Sequence, residues 1–285
     1  MRRLVLATWV ALASVGARGA SDSARSATVD SEAFAERARH ATARYQDRDA
    51  AIADGYRLIG DDFPGMGEHW IHIGLVFDGA YDPTRPEILT YVTLGGTPRL
   101  LGIAYALPLL DGEVPPEEPA GRAAWHAHSG SVDDETLAPH HHSSEHADHG
   151  PRLAMVHAWV WLANPEGLFA ADNWSIPFLR LGLEAPRQAA PEAGKALSLL
   201  TGGDAYVVRV VRAAAAPGAL DEAALRGIVA GAASSVAAVV ERRSGPRLDP
   251  DALTALAAAW QAMWREIEAM LPSEAAARLA SQSMR

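Results

Sequence analysis

The chain has 285 residues, 49% of them hydrophobic and 21% charged, with a net charge of -10 and no cysteine. A chain of this length buries roughly three-quarters of the surface its unfolded form exposes, so it can build a core without cross-links. The acidic balance and the lack of a basic stripe exclude a nucleic-acid partner. The missing thiols exclude disulfides, cysteine-ligated zinc, iron–sulfur clusters and a cysteine nucleophile.

In chain order, residues 1–20 read as a secretory signal peptide. Arg2 and Arg3 form a positive start, and Leu4 to Val15 an apolar run too short to span a bilayer. Gly16, Ala17, Gly19 and Ala20 supply the small residues that cleavage needs. Export to the periplasm or the medium is therefore expected. Residues 21–30 are polar and small, a linker. Ser31 to Gly55 is helical in period, with Phe34, Ala38, Ala41, Tyr45 and Ile52 near one face. A loop rich in Asp, Pro and Gly is expected from Gly60 to Gly67.

The period then shortens towards two. Strands are expected over His69 to Phe77, Glu87 to Thr93 and Arg99 to Leu107, the last two joined as a hairpin across Gly95-Gly96. Ala123 to His128 and Leu153 to Leu162 read as two more, on either side of a polar, histidine-crowded loop over Ser129 to His149. Beyond about Ala189 the pattern is helical to the end. Asp221 and Asp249 are N-cap candidates, Pro250 a first helical residue, and Ser273 the start of a last short helix. Tyr206 to Val211 is β-branched and fits strand or helix. No segment after the signal reads as long and apolar enough to cross a membrane. The fold class expected is α+β: a small antiparallel sheet or barrel carrying histidines, preceded by a helix and followed by an all-helical region. The boundaries are 31–186 for the first part and 187–285 for the second.

The histidines carry the chemistry. Eight of the eleven lie between His126 and His157. His126 and His128 are two apart, so on a strand both leave one face. His157 lies in the following strand, on the side of Trp159 and Trp161, and His69 opens the first strand. Imidazoles converging from neighbouring strands suit zinc, copper or iron. At least three of His69, His126, His128 and His157 are therefore expected to point to one place. His140, His141, His142, His146 and His149 form a second, looser metal-capturing set in the loop. Among carboxylates, Glu68, Glu166 and Asp172 are within reach of a proton-transfer role. Lys195 is the only lysine, and so the only Schiff-base candidate. No P-loop, G-x-S-x-G elbow, dinucleotide fingerprint or H-E-x-x-H is present.

Several segments carry a resemblance. GMGEHW at 65–70, DPTRPEILTY at 82–91, LLGIAYALP at 100–108 and HAWVWLANPEGLFAADN at 157–173, after a helix ending in ADGY at 53–56, resemble a group of uncharacterised exported bacterial proteins. The resemblance implies a shared fold and export, and it marks His69, His157 and Asn173 as site residues, with Trp159 beside them. Many members of that group carry a second histidine shortly before the one at 157; here Leu153 stands near that place, and the W-H-x-H segment at 125–128 offers substitutes. Three function classes follow: a histidine-rich transition-metal-binding protein, a metal-dependent enzyme with an open coordination position, and a metal-free interaction scaffold.

Overall fold

A computed structural model describes residues 31–128, 152–215 and 218–280. The expected signal peptide, the linker and the histidine loop lie outside these residues. The architecture is α+β. A helix over 31–42 (α1) and a 3-10 turn, Ala43–Gln46, lead to α2, Arg48–Ala53. The expected helix over 31–55 is thus broken at Asp47, whose side chain caps α2 by accepting from the Asp49 N–H.

Six strands follow among the described residues: β1 Arg57–Phe63, β2 Gly67–Ile71, β3 Ile88–Leu94, β4 Thr97–Leu109, β5 His126–His128 and β6 Arg152–Ala158. They form one antiparallel sheet in the order β1-β2-β3-β4-β6-β5. The hairpin across Gly95-Gly96 is present, with Leu94 opposite Thr97.

Two expectations need correction. The segment 57–63, expected to end in a loop, is edge strand β1, irregular after Ile59 where Gly60, Asp61 and Asp62 interrupt its pairing. Arg209 and Arg180 pair with Asp61 and Asp62 and hold that stretch to the helices. The strand expected over His69 to Phe77 stops at Ile71. His72 ends it, because its Nδ1 accepts from the Leu75 N–H and caps the short helix α3, Ile73–Val76.

The sheet has two unlike faces, and β4 shows why. Ile103, Tyr105 and Leu107 alternate with Gly102, Ala104 and Ala106. The large side chains join Leu89, Tyr91 and Val156 and pack under Phe34, Ala35, Ala38 and Tyr45. The other face has small residues along its middle. At its rim Phe63, Met66, Val92, Leu101 and Trp159 merge with the core of the C-terminal helices, so one core crosses residue 186.

Those helices are α4 Ile176–Arg180, α5 Pro191–Ser198, α6 Gly203–Ala214, α7 Glu222–Glu241, α8 Pro250–Met270 and α9 Ser273–Ala280. Asp221 and Asp249 cap α7 and α8 through the Ala224 and Ala252 N–H groups. The ambiguous stretch 206–211 lies in α6, where Tyr206, Val207, Val210, Val211 and Ala214 are buried at helical spacing. One further correction concerns α7. By length and composition it would reach across a membrane, with mean hydropathy 1.7. Leu225, Val229, Val236, Val239 and Val240 are its buried residues, in the core shared with α8.

Glu87 lies at the edge of this framework and is almost wholly buried. One of its oxygens accepts from the Ala106 N–H at 3.1 Å. Burial pushes its carboxyl up to about 7, against that hydrogen bond and with a smaller push from Asp78 and Asp82. A carboxyl whose pKa rises on folding stabilises fully below its unfolded pKa, and that contribution is lost as pH rises through the folded value. Stability should therefore climb as pH falls from about 7 towards the unfolded value of 4.5. Glu87→Gln keeps an acceptor for Ala106 and removes the titration. The stability difference between wild type and this variant should change by up to about 3 kcal/mol between pH 8 and pH 5. Denaturant titration at the two pH values measures it, and parallel profiles would contradict this account of Glu87.

Candidate metal site

Bulges, small residues and strand alternation together place the histidines. On β2, His69 stands opposite Thr90 of β3, and Thr90 stands opposite Gly102 of β4. On β6, His157 stands opposite Ala104 of β4. His69 and His157 were expected from neighbouring strands, but β3 and β4 lie between β2 and β6. Two whole strands therefore separate the two backbones. The side chains nevertheless meet: His69 Nε2 and His157 Nε2 are 3.4 Å apart. They can do so because Thr90, Gly102 and Ala104, the residues between them, are short.

Gly102 carries a specific demand. A Cβ there would lie 2.8 Å from the Ala158 carbonyl oxygen and 3.2 Å from both Thr90 Oγ1 and Trp159 Cε3. Just before it, β4 has one extra residue, Leu101, between the partners of Thr90 and Tyr91. This bulge turns the Leu101 carbonyl to accept from the N–H groups of Trp161 and Leu162. The chain after His157 is thereby folded back over β4, with Trp159 above Gly102.

Three rings border the pair. Phe63 meets His69 edge-on at 5.6 Å, and Trp159 stacks on His157 at 5.9 Å with 22° between planes. His126 stacks on the same imidazole at 5.4 Å and 23°. His69, His126 and His157 are all buried. His126 stands opposite Met155, two residues from His157 on the same face, and His128 opposite Leu153, one step farther away. Among the described residues, no group of three or more His, Cys, Asp or Glu is arranged to hold a metal ion. The expected convergence of three rings narrows, among the described side chains, to the pair His69–His157 with His126 stacked against it. His140, His141, His142, His146 and His149 lie outside the described residues.

The other candidates fall in different places. Glu68 leaves the opposite face of β2 from His69. Its oxygens accept from Trp70 Nε1 at 3.1 Å and Thr93 Oγ at 2.7 Å, and Arg48 pairs with it at 3.2 Å, so it fastens α2 to the sheet. Asn173 is fully buried and joins segments. Its Oδ1 accepts from the Ser175 N–H, its Nδ2 donates to the carbonyls of Leu162 and Ala163, and its own N–H donates to the Gly65 carbonyl. Trp159 is joined to the same loop, its Nε1 donating to the Ala170 carbonyl at 2.7 Å. Glu166 lies exposed on a turn closed by Asn164 Oδ1, which accepts the Glu166 N–H.

Asp172 is the ionisable group that stands out in this loop. Burial pushes its carboxyl up to about 7; nearby Lys195 opposes the rise and Glu166 adds to it. Lys195 is buried on α5, paired with Glu192 at 3.2 Å and 5.7 Å from the Trp174 ring. Asp172 in turn raises the phenol of Tyr206, after burial, and Tyr206 touches Phe63. Nothing in the local sequence marks Lys195 or Tyr206 as neighbours of Asp172, because both come from helices outside the motif-bearing half.

The packing around Gly102 makes a prediction. Gly102→Ala should destabilise the protein by about 1–3 kcal/mol, the usual range for overpacking. It should also shift Trp159 and alter tryptophan fluorescence. Chemical denaturation followed by fluorescence checks both, and unchanged stability would show that the close approach is not required. Comparisons of the chain with family models, with curated proteins and with solved structures returned no match.

Proposed function

We propose that this is an exported protein that binds a transition metal ion through Nε2 of His69 and Nε2 of His157. The observation that carries this reading is the 3.4 Å separation of two buried ring nitrogens brought from strands that are not neighbours. In the structure the two nitrogens face each other at the length of a long N–H···N contact, with ring centroids 5.7 Å apart. A metal ion would replace this contact by taking a lone pair from each ring, once the rings turn so that both nitrogens aim at it. Nitrogen donors without thiolate suit zinc, copper or iron. The surrounding Phe63, Trp159 and His126 rings limit access by water, and the remaining coordination positions stay open to water or to another ligand.

A metal-dependent enzyme is the second reading, and Asp172 favours it. A carboxyl with a pKa near 7 can both give and take a proton near neutral pH, and Tyr206 and Phe63 link its surroundings to His69.

Calorimetric titration of metal-free full-length protein with zinc tests the binding reading. Wild type should take up one tight equivalent. His69→Ala and His157→Ala should each weaken that equivalent by more than the roughly 10–100-fold that an outer hydrogen-bond partner is worth. Removing residues 139–149 should leave it in place and remove only weak uptake. A tight equivalent that survives both alanine variants, or that disappears with residues 139–149, would overturn the assignment. Far-ultraviolet circular dichroism of each variant confirms that the helical region stays folded.

A further inference from the structure

Thr90 is the residue that the imidazole pair has to cross. It stands opposite His69 on β2, and Gly102 of β4 stands opposite it on the other side. Opposed residues of an antiparallel pair share one face, so Thr90 lies on the histidine face. The Nε2 atoms of His69 and His157 meet at 3.4 Å although β3 and β4 lie between their strands, so the His69 ring runs out over Thr90. Thr90 is 0% exposed, and its hydroxyl has no hydrogen-bond partner among the described residues. That oxygen is turned towards β4, 3.2 Å from the place a Cβ on Gly102 would take. Thr42, also fully buried, is treated differently: its hydroxyl donates to the Ala38 carbonyl at 2.7 Å and accepts from Trp161 Nε1 at 3.2 Å. A buried hydroxyl without a protein partner is costly, and in native proteins it calls for a bound molecule or ion to explain it.

Resting on the reading of His69 and His157 as ligands, we propose that Thr90 is a positioning residue of the same site, its hydroxyl holding a water molecule carried by the metal ion. Two imidazoles leave coordination positions for oxygen to fill. A water on the ion has protons to give, and the threonine oxygen can accept one while its own proton stays free to donate. The ion then lies beside Thr90, on the sheet side of the two rings. Gly102 keeps a side chain off the hydroxyl, since a Cβ there would press on it. Trp159, packed on Gly102 and stacked on His157, helps to shield the hydroxyl from bulk water. The hydroxyl thus serves the loaded site and contributes nothing to the metal-free fold.

Thr90→Val removes the hydroxyl and keeps the shape, whereas Thr90→Ser keeps the hydroxyl. Metal-free full-length protein is titrated with zinc chloride in a calorimeter, and the same metal-free samples are denatured. Thr90→Val is expected to lower zinc affinity by about 10–100-fold, the loss usual for a group that supports a metal's ligand. Its metal-free form is expected to denature at a midpoint no lower than wild type, because a partnerless buried hydroxyl gives way to a methyl group. Thr90→Ser is expected to recover most of the affinity. A Thr90→Val variant that loses stability together with affinity would overturn the proposal, as would a loss in Thr90→Ser as large as in Thr90→Val. Unchanged zinc affinity in Thr90→Val would also overturn it and leave the metal-binding reading standing. Wild type that takes up no tight zinc, or whose tight zinc survives both His69→Ala and His157→Ala, would overturn both. Circular dichroism checks folding, and Thr90→Ala removes the hydroxyl instead if Thr90→Val does not fold.

Discussion

The meeting of His69 and His157 depends on what is missing between them. Two imidazoles from strands separated by two others can touch only if the intervening strands present almost no side chain on that face. Thr90, Gly102 and Ala104 meet that requirement, and Gly102 meets it without margin, since even a methyl group would press on the Ala158 carbonyl and Trp159. The depleted strip on β4 therefore determines where the site can be. It also determines that the rest of the core must be built elsewhere.

The remainder of the molecule is arranged around that strip. The large residues displaced from the histidine face, Ile103, Tyr105 and Leu107, make the opposite face and bind the N-terminal helix. The bulge at Leu101 turns the chain after His157 back over the sheet, and Trp159 then covers Gly102. Asn173 ties the following loop to the Phe63–Gly67 turn, whose Phe63 covers His69. The C-terminal helices complete the enclosure through Tyr206. Folding and site assembly thus share their contacts, and a substitution beneath the histidines acts on both.

Much of the fold was legible because it is written in local chemistry. The Gly95-Gly96 hairpin, the Asp221 and Asp249 caps and the alternation along β4 each depend on residues close in sequence. The misread segments are those where tertiary contacts override local preference. Residues 57–63 contain Gly60, Asp61 and Asp62, which look like a loop, yet pairing with β2 makes a strand. The valines of α6, by contrast, were open between strand and helix, and burial at helical spacing decides for the helix. His72 sits in an apolar run that reads as strand, yet its ring nitrogen caps a helix. The site was legible in its members and not in its arrangement. Alternation places His126 and His157 on one face, but strand order is a property of the whole sheet, and only it reveals that His69 reaches His157 across two strands.

Zinc-edge X-ray absorption on the zinc-loaded full-length protein tests the central claim most directly, because it reads the atoms around the ion. The account predicts a first shell of nitrogen and oxygen at about 2.0–2.1 Å. It also predicts the outer-shell scattering of imidazole, with the two-ring contribution missing from the His69→Ala/His157→Ala variant. A first shell of six oxygens, or imidazole scattering that persists undiminished in that variant, would contradict it.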